Sequence, residues 1–167
     1  MRRLLLVLLF STQIFGLPGD LDTTFGVRGG YVISDIGSAQ RDERPRDSVI
    51  QADGKIVVVG RRETTLASFY EFFVARYNAD GLLDTTFDGD GYFTLDLPGQ
   101  IDSANAVAIQ TDGKIVFAGG VGESVPTAYV VRLNSDGTLD TTFDADGSVA
   151  VSAAGEAPAE SGSTAES

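Results

Sequence analysis

Apolar and polar positions alternate along residues 91–97, Gly-Tyr-Phe-Thr-Leu-Asp-Leu, which is the pattern of a half-buried β-strand. Three more short apolar runs follow at residues 104–110, 114–119 and 127–133. An Asp-Gly pair follows the first and the third of these runs, and such pairs favour tight turns because glycine accepts a positive φ. The pattern predicts four short antiparallel strands in one sheet.

The same succession of runs occurs earlier in the chain. It predicts strands at residues 31–36, 48–51, 55–60 and 71–77, and residues 147–151 begin the succession once more. β-branched and aromatic residues dominate these runs, and the helical period of 3.6 is missing from the sequence after the amino-terminal leader. We therefore predict an all-β fold with two four-stranded antiparallel sheets plus the first strand of a third.

Two phrases recur at an interval of roughly sixty residues, which is the signature of a tandem repeat. Leu-Asp-Thr-Thr-Phe occurs at residues 21–25, 83–87 and 139–143, and Gln-x-Asp-Gly-Lys-Ile-Val occurs at 51–57 and 110–116. The spacing varies by a few residues, so loop insertions are expected at 40–46 and 61–69. The predicted division is a leader at 1–16, a first repeat at 17–90, a second at 91–146, the start of a third at 147–151, and a tail at 152–167.

The Leu-Asp-Thr-Thr-Phe phrase is expected to connect the last strand of one repeat to the first strand of the next. Its leucine and phenylalanine would then fill the groove between adjacent sheets, and its Asp and Thr side chains would cap backbone groups of the turn. Four cations also recur at matching places, namely Lys55, Arg76, Lys114 and Arg132. Their recurrence predicts a structural pairing with the aspartates of the turns.

Three motifs together resemble the delta-60 repeat: Gly-x-Leu-Asp-x-x-Phe, Gln-x-Asp-Gly-Lys-Ile, and the Arg-x-x-x-Asp-Gly of residues 76–81. The resemblance covers residues 19 to about 151. It implies tandem units in exported bacterial proteins that look like blades of a β-propeller, and it brings no catalytic residues. Propellers usually close with about four to eight blades. Two repeats therefore imply an open wedge, a homo-oligomer that completes a propeller, or a fragment of a longer chain.

The two ends of the chain differ from the repeats. Met1-Arg2-Arg3 followed by the apolar residues 4–10 is typical of a secretory signal peptide, with cleavage expected after Gly16. Residues 152–167 lack large apolar side chains, which predicts a disordered acidic tail. The protein is thus expected outside the cytoplasm, secreted or in the periplasm or on the cell surface, without a membrane span. The absence of cysteine fits bacterial export without disulfides.

Composition narrows the classes of function. The net charge is -12, so nucleic acid is not an expected partner, because phosphate binding needs basic clusters. The absence of histidine removes the usual general base and the usual zinc ligand. From the sequence we assign no catalytic residue, no metal ligand and no cofactor.

Paired aspartates are the best candidates for a metal loop. Asp88 and Asp90, and their counterparts Asp144 and Asp146, could direct several oxygens toward calcium. Further ligands could come from the neighbouring turns: Asp80, Asp84, Asp136 and Asp140. The equivalent stretch at 26–30 contains no acid, however, and the terminal glutamate of a calcium loop is missing. Ordinary Asp-Gly turns are the preferred interpretation.

Two further clusters are expected to be loops. The five arginines Arg41, Arg44, Arg46, Arg61 and Arg62 are interleaved with acids, which indicates a solvated surface rather than an anion site. The glycine-rich residues 119–122 lack the spacing of dinucleotide and phosphate loops.

Three functions remain open on the sequence alone. The first is an exported, non-catalytic interaction or structural module with an unknown protein or surface ligand. The second is a calcium-stabilised structural repeat. The third is a hydrolase or lyase that uses paired aspartates.

Overall fold

The computed structural model describes residues 19–27, 29–34, 36, 42–64, 69–98, 101–123 and 126–151. Within these ranges all regular elements are β-strands, and they form two four-stranded antiparallel sheets. The first sheet contains β1 (Glu43–Ile50), β2 (Ile56–Glu63), β3 (Tyr70–Tyr77) and β4 (Tyr92–Leu95), and the second contains β5 (Asp102–Ile109), β6 (Ile115–Val121), β7 (Thr127–Leu133) and β8 (Ser148–Val151). The all-β fold and the two antiparallel sheets are confirmed. The described residues include no helix that is long and apolar enough to cross a membrane.

The strands pair in groups that differ from the repeats predicted from the sequence. β4 pairs with β3, and β8 pairs with β7. The strands expected to open the second and third repeats therefore complete the first and second sheets. The connectors at 83–87 and 139–143 lie between the third and fourth strands of one sheet. The connector turns the chain back because the Asp84 N–H donates to the Arg76 carbonyl at 2.9 Å, and the Arg76 N–H donates to the Gly91 carbonyl at 3.0 Å.

Other strand limits also differ from the expectations. Residues 31–34 form no sheet pairing, because no described strand lies beside them. β1 and β2 extend into the segments that were expected to be loops, since their charged side chains hide the alternation. Most of the glycine-rich stretch belongs to β6 rather than to a loop. The predicted leader at 1–16 and tail at 152–167 lie outside the described residues.

Both sheets carry the same bulge in their first strand. The register shifts between Pro45 and Asp47 in β1, and between Ala104 and Ala106 in β5. Gly60 lies opposite the first bulge, where a Cβ would collide with a backbone carbonyl. Only glycine allows the two strands to approach so closely at this point.

The main core lies between the two sheets. The first sheet contributes Val57, Val59, Phe72 and Val74, and the second contributes Ile115, Phe117, Val131 and Leu133. The Phe72 and Phe117 rings meet edge to face, with centroids 5.6 Å apart. Each fully buried side chain of this kind contributes about 1.5–3 kcal/mol relative to exposure. The shared core therefore makes the interface between the sheets a main source of stability.

The first strands of the two sheets also approach each other. An Asp47 carboxylate oxygen accepts a hydrogen bond from the Val107 N–H at 2.9 Å, from β1 to β5. The sheets thus resemble two adjacent blades of a propeller, and they do not close into a ring.

Candidate functional site

The connector of the first sheet centres on the buried carboxylate of Asp84. One oxygen, Oδ2, accepts hydrogen bonds from Lys55 Nζ at 2.8 Å and from Arg76 Nε at 2.7 Å. The other oxygen, Oδ1, accepts from the backbone N–H and the hydroxyl of Thr86, at 3.2 and 2.6 Å. Burial alone would raise the pKa of Asp84, but these donors outweigh it and hold the pKa well below its usual range.

The second sheet repeats this cluster. Asp140 accepts from Lys114 Nζ and Arg132 Nε, both at 2.7 Å, and from Thr142. The hydrogen bond from Lys114 and those from Thr142 lower the pKa of Asp140. The predicted pairing of cations with turn aspartates is confirmed, as is the capping of backbone N–H groups by the aspartates, whereas the hydroxyls of Thr86 and Thr142 donate to those aspartates. Because both oxygens of each carboxylate already accept hydrogen bonds, neither carboxylate is placed to exchange protons with a substrate.

A second function of Arg76 is to join the two sheets. Its Nη1 donates to the Ser135 carbonyl at 2.6 Å, across the interface. Its guanidinium also lies 4.6 Å from the centroid of the Phe87 ring. We call this set of contacts, together with those of Phe87 described next, the junction.

Phe87 is fully buried and packs against the Asp-Gly turn of the second sheet. A Cβ on Gly137 would lie 2.8 Å from the Phe87 ring. The Asp88 N–H donates to the Asp136 carbonyl at 2.8 Å beside this contact. The expectation that the connector phenylalanine fills a groove between sheets is confirmed for Phe87. Of the connector leucines, Leu139 also packs against the core between the sheets, whereas Leu83 packs in the smaller cluster with Phe73 on the outer face of the first sheet.

A family model covers these clusters in both repeats. Residues 51–87 and 110–143 match the model of a domain of unknown function (DUF5122) of the beta-propeller type. The chain is thus similar to β-propeller repeat proteins. Each matched segment contains one complete set of the lysine, arginine, aspartate and phenylalanine described above. No curated protein and no solved structure shows a significant match.

The aspartate loops of the two repeats form turns. Asp90 accepts from the Tyr92 N–H at 3.2 Å, and Asp146 accepts from the Ser148 N–H at 2.9 Å. Asp88 and Asp144 adopt positive φ values of 48° and 47°. In the described ranges, no group of three or more acidic side chains is arranged to hold a metal ion. The structure therefore provides no observation in favour of a calcium site.

Four of the five arginines lie on strands, so the expectation of a loop is wrong for them, whereas the expected exposure to solvent holds for Arg44 and Arg46. Arg62 is buried, with its Nη1 3.4 Å from Glu71 Oε1. The Arg61 guanidinium lies 4.4 Å from the centroid of the Tyr70 ring. Arg44 of β1 pairs with Asp42, which precedes the strand, and Arg41 lies outside the described residues. The interleaved acids are cross-strand or near neighbours, which is why the cluster can fold into a sheet.

One buried carboxylate was not singled out by the sequence. Asp102, the first residue of β5, is fully buried, and its Oδ2 accepts from the Leu97 N–H at 2.7 Å. Its Oδ1 has no hydrogen-bond partner within the described residues. Burial raises the pKa of Asp102 to about 6, despite the hydrogen bond from Leu97. Its counterpart Glu43 lies opposite Arg62, whereas Asp102 lies opposite Val121.

The outer face of the first sheet, which points away from the second sheet, carries an apolar cavity of about 540 Å³. Ile56, Val58 and Phe73 form its floor, and Phe25 and Val32 of the amino-terminal segment form one wall. The sequence pattern marks these positions as apolar, but it does not show that neither described sheet covers this face. A cavity lined in this way suits an apolar ligand or side chains from another protein.

Proposed function

We propose that this chain is an exported, non-catalytic module of delta-60 repeats that acts by binding an apolar protein surface. The observation that carries the proposal is the duplicated cluster around Asp84 and Asp140. Its carboxylates are fully engaged in the same structural bonds in each sheet. A catalytic site would need a unique arrangement, and a group duplicated in each repeat supports a structural role instead.

Binding is proposed at the outer face of the first sheet, in the cavity over Val58. Apolar side chains form its floor, and the neighbouring Ile33 is 70 % exposed. Such exposed apolar surface is typical of a protein interaction site. The acidic charge of the chain opposes binding to nucleic acid and to anionic lipid.

The proposed binding surface can be tested with the neutral apolar dye Nile red. We expect the full chain to bind the dye with increased fluorescence, and the cavity-filling substitution Val58→Phe to weaken binding at least about fivefold, because the ring occupies the dye's space. Ala108→Asp on the exposed side of β5 is the matched control and should leave dye binding unchanged. Equal dye binding by Val58→Phe and the unmodified chain would reject the cavity as the binding surface.

Export is tested separately, by expression of the full chain in a bacterium. We expect the protein in the periplasm or the medium, with a mass that corresponds to cleavage after Gly16. An uncleaved chain confined to the cytoplasm would reject the exported location.

A further inference from the structure

The junction inside the chain defines which groups let one sheet dock on the next. The donor sheet supplies Phe87, the Asp88 N–H and Arg76, and the acceptor sheet supplies the turn at Ser135 to Gly137. Apolar side chains of both sheets fill the space behind these contacts.

The second sheet carries a complete donor set at its own far side. The Arg132 guanidinium lies 4.6 Å from the Phe143 ring centroid, the same distance as between Arg76 and Phe87. The Arg132 side chain is 21 % exposed, whereas that of Arg76 is 7 % exposed. Among the described residues, no carbonyl receives Arg132 in the way that Ser135 receives Arg76. This donor set therefore lacks its acceptor.

The outer face of the second sheet is apolar at the positions that correspond to the core positions of the first sheet. Val116, Ala118, Val130 and Val149 are half-buried there. Their counterparts in the first sheet, Val57, Val59, Val74 and Phe93, are all buried in the main core. The second sheet therefore exposes the type of surface that the first sheet buries against its neighbour.

The outer face of the first sheet offers the matching acceptor. A Cβ on Gly81 would lie 2.9 Å from the Phe25 ring, and the Gly26 N–H donates to the Asp80 carbonyl at 2.6 Å. These contacts reproduce those of Phe87 and Asp88 at Gly137. The described residues between 19 and 36 contain no strand, however, and the cavity over Val58 remains.

We infer that the outer face of the second sheet in one copy docks on the outer face of the first sheet in another copy, and that the Phe143 of one copy replaces Phe25 at Gly81 of the next. The two phenylalanines cannot occupy the same turn, so the amino-terminal segment restrains association until it is displaced. The inference rests on the proposed function as an interaction module and names its partner, a second copy of this chain. Continuity with the internal junction supports it, because both faces repeat the groups that join the two sheets.

The test is the solution mass of the full exported chain across a concentration series, measured by light scattering after size exclusion. We expect concentration-dependent association, and we expect Val130→Asp and Val58→Asp each to remain monomeric. Because each variant keeps one intact face, an equimolar mixture of the two should form a one-to-one complex. Ala52→Asp, in the exposed turn between β1 and β2, should associate like the unmodified chain, and circular dichroism checks that every variant is folded.

The role of the amino-terminal segment is tested with Phe25→Ala. Removal of the competing ring should lower the apparent dissociation constant of self-association by about tenfold, because a larger fraction of the chains then has a free acceptor. Three results would each overturn the inference. The unmodified chain could stay monomeric at all concentrations, the mixture of the two aspartate variants could stay monomeric, or Phe25→Ala could leave the dissociation constant unchanged. Nile red binding that still depends on Val58 would leave the proposed function standing in each of those cases.

Discussion

Arg76 of the first sheet donates a hydrogen bond to the backbone carbonyl of Ser135 in the second, at 2.6 Å. The same guanidinium donates to Asp84 within its own sheet at 2.7 Å. One side chain thus couples the connector of one repeat to the turn of the next. A rigid, planar guanidinium can direct donors to both acceptors at once, which a lysine cannot do.

Replacement of Arg76 by lysine should therefore cost more stability than the same replacement at Arg132. We expect Arg76→Lys to lower the free energy of unfolding by about 2 kcal/mol, because it loses hydrogen bonds in a buried position. Arg132→Lys loses only its bond to Asp140 and should cost about 1 kcal/mol or less. Urea unfolding of both variants measures the difference. Equal losses would show that the bond to Ser135 does not stabilise the junction.

The pairing around Asp84 could be predicted because its parts recur in the sequence. Lys55, Arg76 and Asp84 reappear in order at the same relative places, so a shared role follows from the repetition. The contact to Ser135 could not be predicted in this way. It depends on how the two sheets stack. The acceptor is a backbone carbonyl, which every residue type has, so the residue at this position does not indicate the contact.

The turn at Gly137 should tolerate alanine less well than the Asp-Gly turn at Gly113. Gly137 has a φ of 96°, and an added Cβ would lie 2.8 Å from both the Phe87 ring and the Asp88 nitrogen. Gly113 has a similar φ of 85°, but its nearest neighbour would lie at an ordinary 3.5 Å. Both alanine variants should lose roughly 1–2 kcal/mol from left-handed strain. Gly137→Ala should lose about 1–3 kcal/mol more from overpacking.

Thermal unfolding with a calorimeter compares these two variants directly. The matched φ angles make Gly113→Ala a control for backbone strain alone. If both variants had the same melting temperature, the contact between Phe87 and the turn would not be a tight one.

The grouping of strands shows a limit of repeat analysis. A tandem repeat can be divided at any point of its period, so the sequence alone does not say where a sheet begins. Here β4 at Tyr92 follows the connector and pairs backward with β3, a pairing set by backbone hydrogen bonds at Arg76 and Gly91. The length of the repeat was predictable, but the position at which each sheet begins was not.

Asp84 should make the protein sensitive to acid. Its pKa in the folded state lies below the ordinary value of 3.8, so the stability it contributes is present at neutral pH and is lost as the pH falls below about 4. Asp84→Asn leaves Lys55 and Arg76 without a counter-charge in a buried site, and should cost about 3 kcal/mol at pH 7. At pH 2 the difference from the unmodified chain should be smaller.

Asp22 provides the control for this experiment. It accepts hydrogen bonds from the N–H and hydroxyl of Thr24, as Asp84 does from Thr86. Among the described residues, however, no lysine or arginine pairs with its carboxylate. Asp22→Asn should therefore change stability far less at pH 7, as measured by urea unfolding. A loss as large as that of Asp84→Asn would assign the effect to the threonine bonds rather than to the cations.

Asp102 should have the opposite effect on how stability depends on pH. Its pKa is raised to about 6 in the folded state, above the 3.8 of an unperturbed carboxyl. The folded state therefore binds its proton more tightly than the unfolded state does. The destabilising effect of the charged form is absent below about pH 4, grows between pH 4 and 6, and is complete above pH 6.

Replacement of this carboxylate by a neutral amide should stabilise the protein at neutral pH. We expect Asp102→Asn to raise the free energy of unfolding at pH 7 by on the order of 2 kcal/mol, because the buried charge with an unpaired oxygen is removed. At pH 3.5 the two proteins should differ little. Urea unfolding at both pH values measures this change, and Asp112→Asn in the exposed turn between β5 and β6 serves as the control. A loss of stability at pH 7 would mean that the charged carboxylate is stabilised by its surroundings, contrary to its burial opposite Val121.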